Sequence, residues 1–419
     1  MYQKYILNNG VRVVLEKIPH VKSVSLGFWI KAGSIYESEE NNGISHFIEH
    51  MLFKGTQERT AKEIAGAIDN IGGQLNAFTS KECTCYYVKV LDTHVGIAID
   101  VLTDMLFQST FRSSEIAKEK SVILEEINMY EDSPEDNAHD LLAKTVFENH
   151  SLGLPILGNR KTVENIDRSM MIDYMQKNYT INNIVVSVAG NFDEKLLLQL
   201  LEEKFNKYEN KNNGQQLKGE LDFQTSTAVK YKDIEQLHLC IGFKGMPLTS
   251  IDFYPLLLMN TVFGGSMSSR LFQNIREDKG LAYSVFSYPS AYKKIGLFTI
   301  YAGINPVQLQ EVSKLISKEI NVMKKDGITE EELLKSKEQL KGNYILGLES
   351  TSSRMSAIGK SELLLDRIYS QKEILQKIDD ITMQDIRKVI DKIFDLDKAS
   401  IVAVGKIDDN LDIRSFFQI

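Results

Sequence analysis

The sequence predicts an α+β protein of two homologous domains, each a largely antiparallel sheet with helices packed on one side. Three observations carry that prediction. Two segments, NIVVSVAGNF at 183–192 and KASIVAVGKI at 398–407, each give a β-branched strand ending at a glycine, and Gly190 and Gly405 lie 215 residues apart. The helical segments SEIAKEK at 114–120 and EELLKSK at 331–337 repeat at nearly the same offset, 217. A near-constant offset between distant segments is the mark of a duplication. Finally, stretches of period two alternate with stretches of period 3.6 in both halves, which mixes strands with helices.

The elements follow in order. MYQKYILNNGVRVVLEKI reads as strand, Asn8-Asn9-Gly10 turn, strand. Tyr86 to Val90 alternates as a strand does, and Val95 to Gln108 has helical periodicity. Ser114 to Met129 reads as a long helix with Ile116, Val122, Ile123 and Ile127 apolar and carboxylates between them. In the second half, a glycine–serine turn at 264–269 leads into a helix ending near Gly280, and Val307 to Lys324 is helical. A glycine–serine turn there reads first as a helix cap. The polar, Asn-rich run 208–218 is the linker candidate. The expected division is an N-terminal domain over 1–212, a linker over 213–222 and a C-terminal domain over 223–419.

Composition narrows the function. With 49 basic and 57 acidic residues the net charge is −8, which argues against a nucleic-acid binder. No apolar run reaches about 18 residues, so no membrane span is expected. The first residues lack a charged leader followed by an apolar core, and bacterial cytoplasm is the expected location. Cys83-Thr84-Cys85 spaces its thiols too closely for a zinc ribbon; both cysteines read as packing residues on one strand face, in a chain of only three.

His46-Phe47-Ile48-Glu49-His50 is the stretch richest in chemistry. Histidines four apart on a helix lie one above the other, so two imidazoles can reach one ion, with Glu49 beside them. His-x-x-Glu-His is the inverted zincin pattern, whose glutamate acts as base. Catalytic zinc needs a third protein ligand and an open position. Glu119 and Glu126 are seven apart and share a helix face; Glu125 and Glu131 are competitors for the ligand role, Glu125 being out of phase with Glu119. Acidic residues on a helix are ordinarily solvated, so the spacing alone does not choose.

The words around these residues resemble the pitrilysin (insulinase) zinc metallopeptidases, in the branch of the mitochondrial processing peptidases and their short bacterial relatives. They are HFIEHMLFKGT at 46–56, GGQLNAFTS at 72–80, ILEEINMYEDSPED at 123–136 and LGLPILG at 152–158. The resemblance implies one Zn2+ per chain held by His46, His50 and Glu126, with Glu49 as base and Glu119 supporting from behind. It implies that Asn76 and Ala77 pair with an extended peptide, where the residues alone read rather as a structural hairpin. It implies that Arg276 and Tyr283 bind substrate, Tyr283 also stabilising the transition state, where the residues alone read as a surface cation and an interface aromatic. Further expectations are a clamshell of two halves around a chamber, hydrolysis of internal bonds in unfolded peptides or leader segments, and a homodimer, with a heterodimer for the organellar branch. A non-catalytic peptide-binding subunit and a zinc hydrolase for small molecules are the alternative functions. No His-x-x-Glu-His follows residue 207, and at an offset of 217 Ser336 and Asn343 stand where Glu119 and Glu126 stand, so only the first half is expected to hold metal.

Overall fold

Two sheets repeat one strand plan in a computed structural model that describes residues 2–208, 221–408 and 410–417. The first sheet contains β1 (Tyr2–Ile6), β2 (Arg12–Lys17), β3 (Ser23–Ile30), β4 (Gln74–Thr79), β5 (Thr84–Leu91) and β6 (Ile184–Gly190), in the order β1-β2-β6-β3-β5-β4. The second contains β7 (Thr227–Tyr231), β8 (Leu237–Gly245), β9 (Ala282–Ala291), β10 (Gly296–Ile304) and β11 (Ser400–Gly405), in the order β7-β11-β8-β10-β9. β6 runs parallel to β2 and antiparallel to β3, and β11 runs parallel to β7 and antiparallel to β8. All other pairings are antiparallel. The two β-branched segments that end at Gly190 and Gly405 are therefore equivalent strands. Both end where the chain must turn with positive φ, +137° at Gly190 and +152° at Gly405, values that side chains with a Cβ rarely adopt.

Strand burial follows from the covering of both faces. In β3, Val24, Leu26, Phe28 and Ile30 enter a core shared with α1 (Ile44–Leu52), α2 (Ala61–Asp69) and α3 (Val95–Gln108). Ser25, Gly27 and Trp29 point the other way. Ser25 Oγ lies 2.9 Å from Thr351 Oγ1 on the helix Thr351–Leu365, and a Cβ on Gly27 would stand 2.4 Å from Met355 Sδ. β3 and β6 are consequently almost wholly buried rather than alternating, as a strand covered on both faces must be. α4 (Ser113–Asp132) leads into α5 (Pro134–Val146), which packs on β8 and β11 of the second sheet, with His139 Nδ1 2.9 Å from Tyr288 OH. The helices that each half supplies to its own sheet lie on one side, as expected; the other face is covered by one helix from the opposite half of the sequence.

Two compact units result. One comprises 1–128, 154–218 and 346–370; the other comprises 129–153, 219–345 and 371–419, within the described residues. The exchange of α5 for the 351–365 helix makes the units discontinuous in sequence, because a sheet buried on both faces needs a cover that its own half does not supply. The linker expected at 208–218 lies outside the described residues apart from Tyr208, as does 213–220 of the 213–222 boundary. The helical and strand segments anticipated at 86–90, 95–108 and 114–129 appear as β5, α3 and α4. The helix expected from 307 to 324 is Leu309–Asp326. Val122, expected on the apolar face of α4, is 44% exposed; the buried stripe runs through Ile116, Ile123 and Ile127. Cys83, Cys85 and Cys240 are free and buried. Among the described residues no helix is long and apolar enough to cross a membrane.

Candidate metal centre

α1 is fixed at its start by a carboxylate from outside the helix. Glu37 accepts the backbone N–H groups of Gly43 at 2.8 Å and Ser45 at 2.9 Å, and the side-chain amide of Asn42 at 2.9 Å. These bonds satisfy donors at the helix N-terminus, where a negative charge is favoured. Burial pushes the Glu37 carboxyl up from its ordinary range, and the three donors oppose that shift. Phe47, Ile48, Met51 and Leu52 then anchor the helix in the core, each contributing about 1.5–3 kcal/mol by burial. The remaining face presents His46 and His50, their ring centres 4.6 Å apart.

α4 supplies the third donor. His46 Nε2 lies 3.6 Å and His50 Nε2 3.5 Å from Glu126 Oε2. Ligands about 2.05 Å from a tetrahedral zinc ion stand about 3.3 Å apart, so these separations suit one ion. They are not ion pairs in the case of His46, whose pKa is lowered to about 3, first by burial and then by His50, leaving it a neutral lone-pair donor. Glu126 Oε2 and His46 Nδ1 are both buried without a hydrogen-bond partner among the described residues. A buried acceptor without a donor is costly, and a cation is the kind of partner that an oxygen beside two imidazole nitrogens could take. Two imidazoles and one carboxylate form a donor set that zinc accepts while keeping a fourth position open. These three are the one group of potential ligands found among the described residues. Glu125 and Glu131, the rivals for the third position, are both exposed.

Behind the donors lies a supporting chain. Glu119, 4% exposed, takes His50 Nδ1 at 3.0 Å on one oxygen and Lys54 Nζ at 2.7 Å on the other. A carboxylate can only accept, so Nδ1 carries the proton and Nε2 keeps its lone pair toward Glu126. Glu49 stands beside this group with Oε2 accepting the Thr79 hydroxyl at 2.5 Å. Burial raises the Glu49 carboxyl from its ordinary range; the Thr79 bond and His50 pull it down and Glu126 pushes it up.

Asn76 and Ala77 lie on β4, which among the described residues pairs only with β5 and ends the first sheet. The Ala77 N–H is taken at 2.8 Å by Asn76 Oδ1, so the amide covers a donor that an added strand would use. Arg276 and Tyr283 belong to the second unit and meet each other there. The Arg276 guanidinium, in a π-helical turn over Phe272–Glu277, is 4.8 Å from the Phe272 ring centre and 5.8 Å from that of Tyr283. Tyr283 is 76% exposed. Glu37, Lys54 and Thr79 were not anticipated. Lys54, four residues after His50, carried a spacing signal; Thr79, 30 residues from Glu49, carried none, and Glu37, six residues before Gly43, sits outside any capping pattern read along the helix.

A duplicated α+β chain with one inverted-zincin donor set defines a class, the two-domain zinc peptidases, and comparison with known proteins agrees. Residues 12–160 match the family described as insulinase (peptidase family M16), and 165–340 match the one described as peptidase M16 inactive domain. A Bacillus subtilis protein called an uncharacterized zinc protease, YmxG, is 49% identical over 95% of this chain and 97% of its own length. An uncharacterized zinc protease of Rickettsia felis is 38% identical over 98% of both chains. A protease structure from Helicobacter pylori superimposes with a TM-score of 0.89, covering 97% of this chain and 99% of that one at 23% identity, a likeness of fold. The chain belongs to peptidase family M16, the insulinase family.

Proposed function

We propose that the protein is a zinc-dependent endopeptidase that hydrolyses internal bonds of unfolded peptides or leader segments. The observation that carries this reading is the buried, unpartnered Glu126 oxygen 3.5–3.6 Å from two imidazole nitrogens, with a second carboxylate beside them. His46, His50 and Glu126 would hold the ion. When bound, zinc supplies Lewis acidity, polarising a carbonyl and bringing the pKa of a water toward about 7. Glu49 takes the proton of the attacking water on its carboxylate and delivers it to the leaving amine. Glu119 keeps His50 in the tautomer that offers Nε2, and Lys54 holds Glu119 in place. The β4 edge accepts an extended peptide by strand addition once the Asn76 amide swings off the Ala77 N–H. Arg276 and Tyr283 contact the substrate, and Tyr283 steadies the developing oxyanion.

The test is mass spectrometry of products from a mixed peptide library, with and without chelator, for the wild-type protein and Glu49→Gln. Internal cleavage that chelator abolishes is expected, with Glu49→Gln keeping its zinc and losing about 10²–10⁴-fold in rate. A zinc-loaded wild-type protein that binds peptides and leaves them whole would establish the non-catalytic subunit instead.

A further inference from the structure

The last residue of β4 reaches the base. Thr79 donates its hydroxyl proton to Glu49 Oε2 at 2.5 Å, and no other hydrogen bond to the Glu49 side chain occurs among the described residues. We infer that Thr79 is a positioning residue for the proposed reaction: it commits one Glu49 oxygen to a fixed bond and leaves the other to take the proton from water. The inference rests on the peptidase reading above.

The direction of the bond follows from counting protons. Thr84 stands opposite Thr79 across the β4–β5 pair, with the two hydroxyl oxygens 3.4 Å apart. Thr84 spends its own proton on the Ala32 carbonyl at 2.8 Å, so it has none to give Thr79. Thr79 has one proton, and the carboxylate receives it. The donor is also held still. Its side chain is β-branched and stiff at χ1. The adjoining turn is closed by the Ser80 N–H and the Ser80 hydroxyl, each 2.8 Å from the Cys83 carbonyl oxygen.

A glutamate carboxyl at the end of several rotatable bonds would otherwise sample many orientations, only some useful to a base. Fixing one oxygen removes most of that freedom before substrate arrives. The same strand presents the edge proposed to pair with peptide, so substrate docking and base alignment share one rigid element. A merely structural role would make Thr79 a satisfied half-buried hydroxyl whose loss affects folding or metal and leaves the base where it was.

The experiment compares zinc-loaded wild type, Thr79→Val and Thr79→Ser for kcat, KM and zinc content on one cleaved peptide, with a crystal structure of Thr79→Val. Expected is a kcat loss of about 10–100-fold in Thr79→Val with KM and zinc unchanged, and recovery of most of that loss in Thr79→Ser. The Glu49 side chain is expected to leave its wild-type rotamer in the Thr79→Val crystal. The inference is overturned by a wild-type kcat in Thr79→Val, by Thr79→Ser as impaired as Thr79→Val, by loss of zinc as the cause of inactivity, or by an unmoved Glu49. A wild-type protein that cleaves no peptide would sink the peptidase reading, and the rotamer of Glu49 in the crystal would then decide the positioning role alone.

Discussion

The two sheets share a strand plan, yet their equivalent helices spend their buried positions differently. α4 buries Glu119 and aims Glu126 at two histidines, whereas the helix Glu330–Gly347 offers Ser336 and Asn343 at the matching offset. Ser336 is buried too, but its hydroxyl donates to the Glu332 carbonyl at 2.6 Å within its own helix and asks nothing of the surroundings. Glu119 cannot be satisfied that way, since a buried carboxylate needs donors, and it takes them from His50 and Lys54. After β3 comes α1 with its histidines; after β8 comes the helix Phe253–Phe263, which buries Leu256, Leu258, Met259, Val262 and Phe263 and carries no imidazole. The framework therefore stands without metal chemistry, and the first unit has added a charged cluster to it.

The largest expected effect attacks that cluster directly. His50→Ala removes a donor and strips Glu119 of one of its two partners, so zinc affinity should fall by more than about 100-fold and peptide cleavage should drop to background. Zinc analysis after dialysis beside a cleavage assay checks this, and retained stoichiometric zinc would break the contrast. Chelation comes next. At zinc about 100-fold above its dissociation constant, the ion adds about 2.7 kcal/mol to stability. Hydrogen exchange after chelation should show protection lost in α1 and α4 and kept in the 253–263 and 330–347 helices; equal loss in both units would mean the metal holds the whole framework.

A smaller effect isolates the supporting chain. Lys54→Met should weaken zinc binding about 10-fold or somewhat more, with Lys54→Arg close to wild type, as measured by competition with a chromophoric chelator. Unchanged affinity would reduce Lys54 to a surface charge. The smallest effect compares equivalent turns. An alanine Cβ at Gly190 would meet the Ser23 carbonyl oxygen at 2.2 Å, and at Gly405 the Gln236 carbonyl oxygen at 2.9 Å. Both substitutions should destabilise by more than about 1 kcal/mol in urea unfolding, Gly190→Ala the more severely. The reverse order would show that the two strand ends are not built alike.

Much of this was legible in the chain. Helical periodicity placed His46 and His50 on one face because that face is set by 3.6 residues per turn, and seven-residue spacing put Glu119 and Glu126 in phase for the same reason. Phase favoured Glu126 over Glu125 but could not show which carboxylates are solvated; the packed helix leaves Glu125 and Glu131 exposed and turns Glu126 inward. The edge position of β4 follows from sheet order, which alternation does not encode. The exchange of α5 and the 351–365 helix was equally hidden, although the near-continuous apolar runs of β6 and β11 hinted that both faces would be covered.

Sequence alone determined the repeated α+β plan and a pair of imidazoles with a carboxylate in reach, since both depend on periods measured along a single element. Tertiary packing decided who holds these groups: Glu37 at the start of α1, Lys54 behind Glu119, Thr79 beneath Glu49. Those partners meet across separations of up to 65 residues, from Lys54 to Glu119. Contacts of that range are fixed by which faces bury together; the four-residue step from His50 to Lys54 hints at one of them, and no spacing marks Thr79.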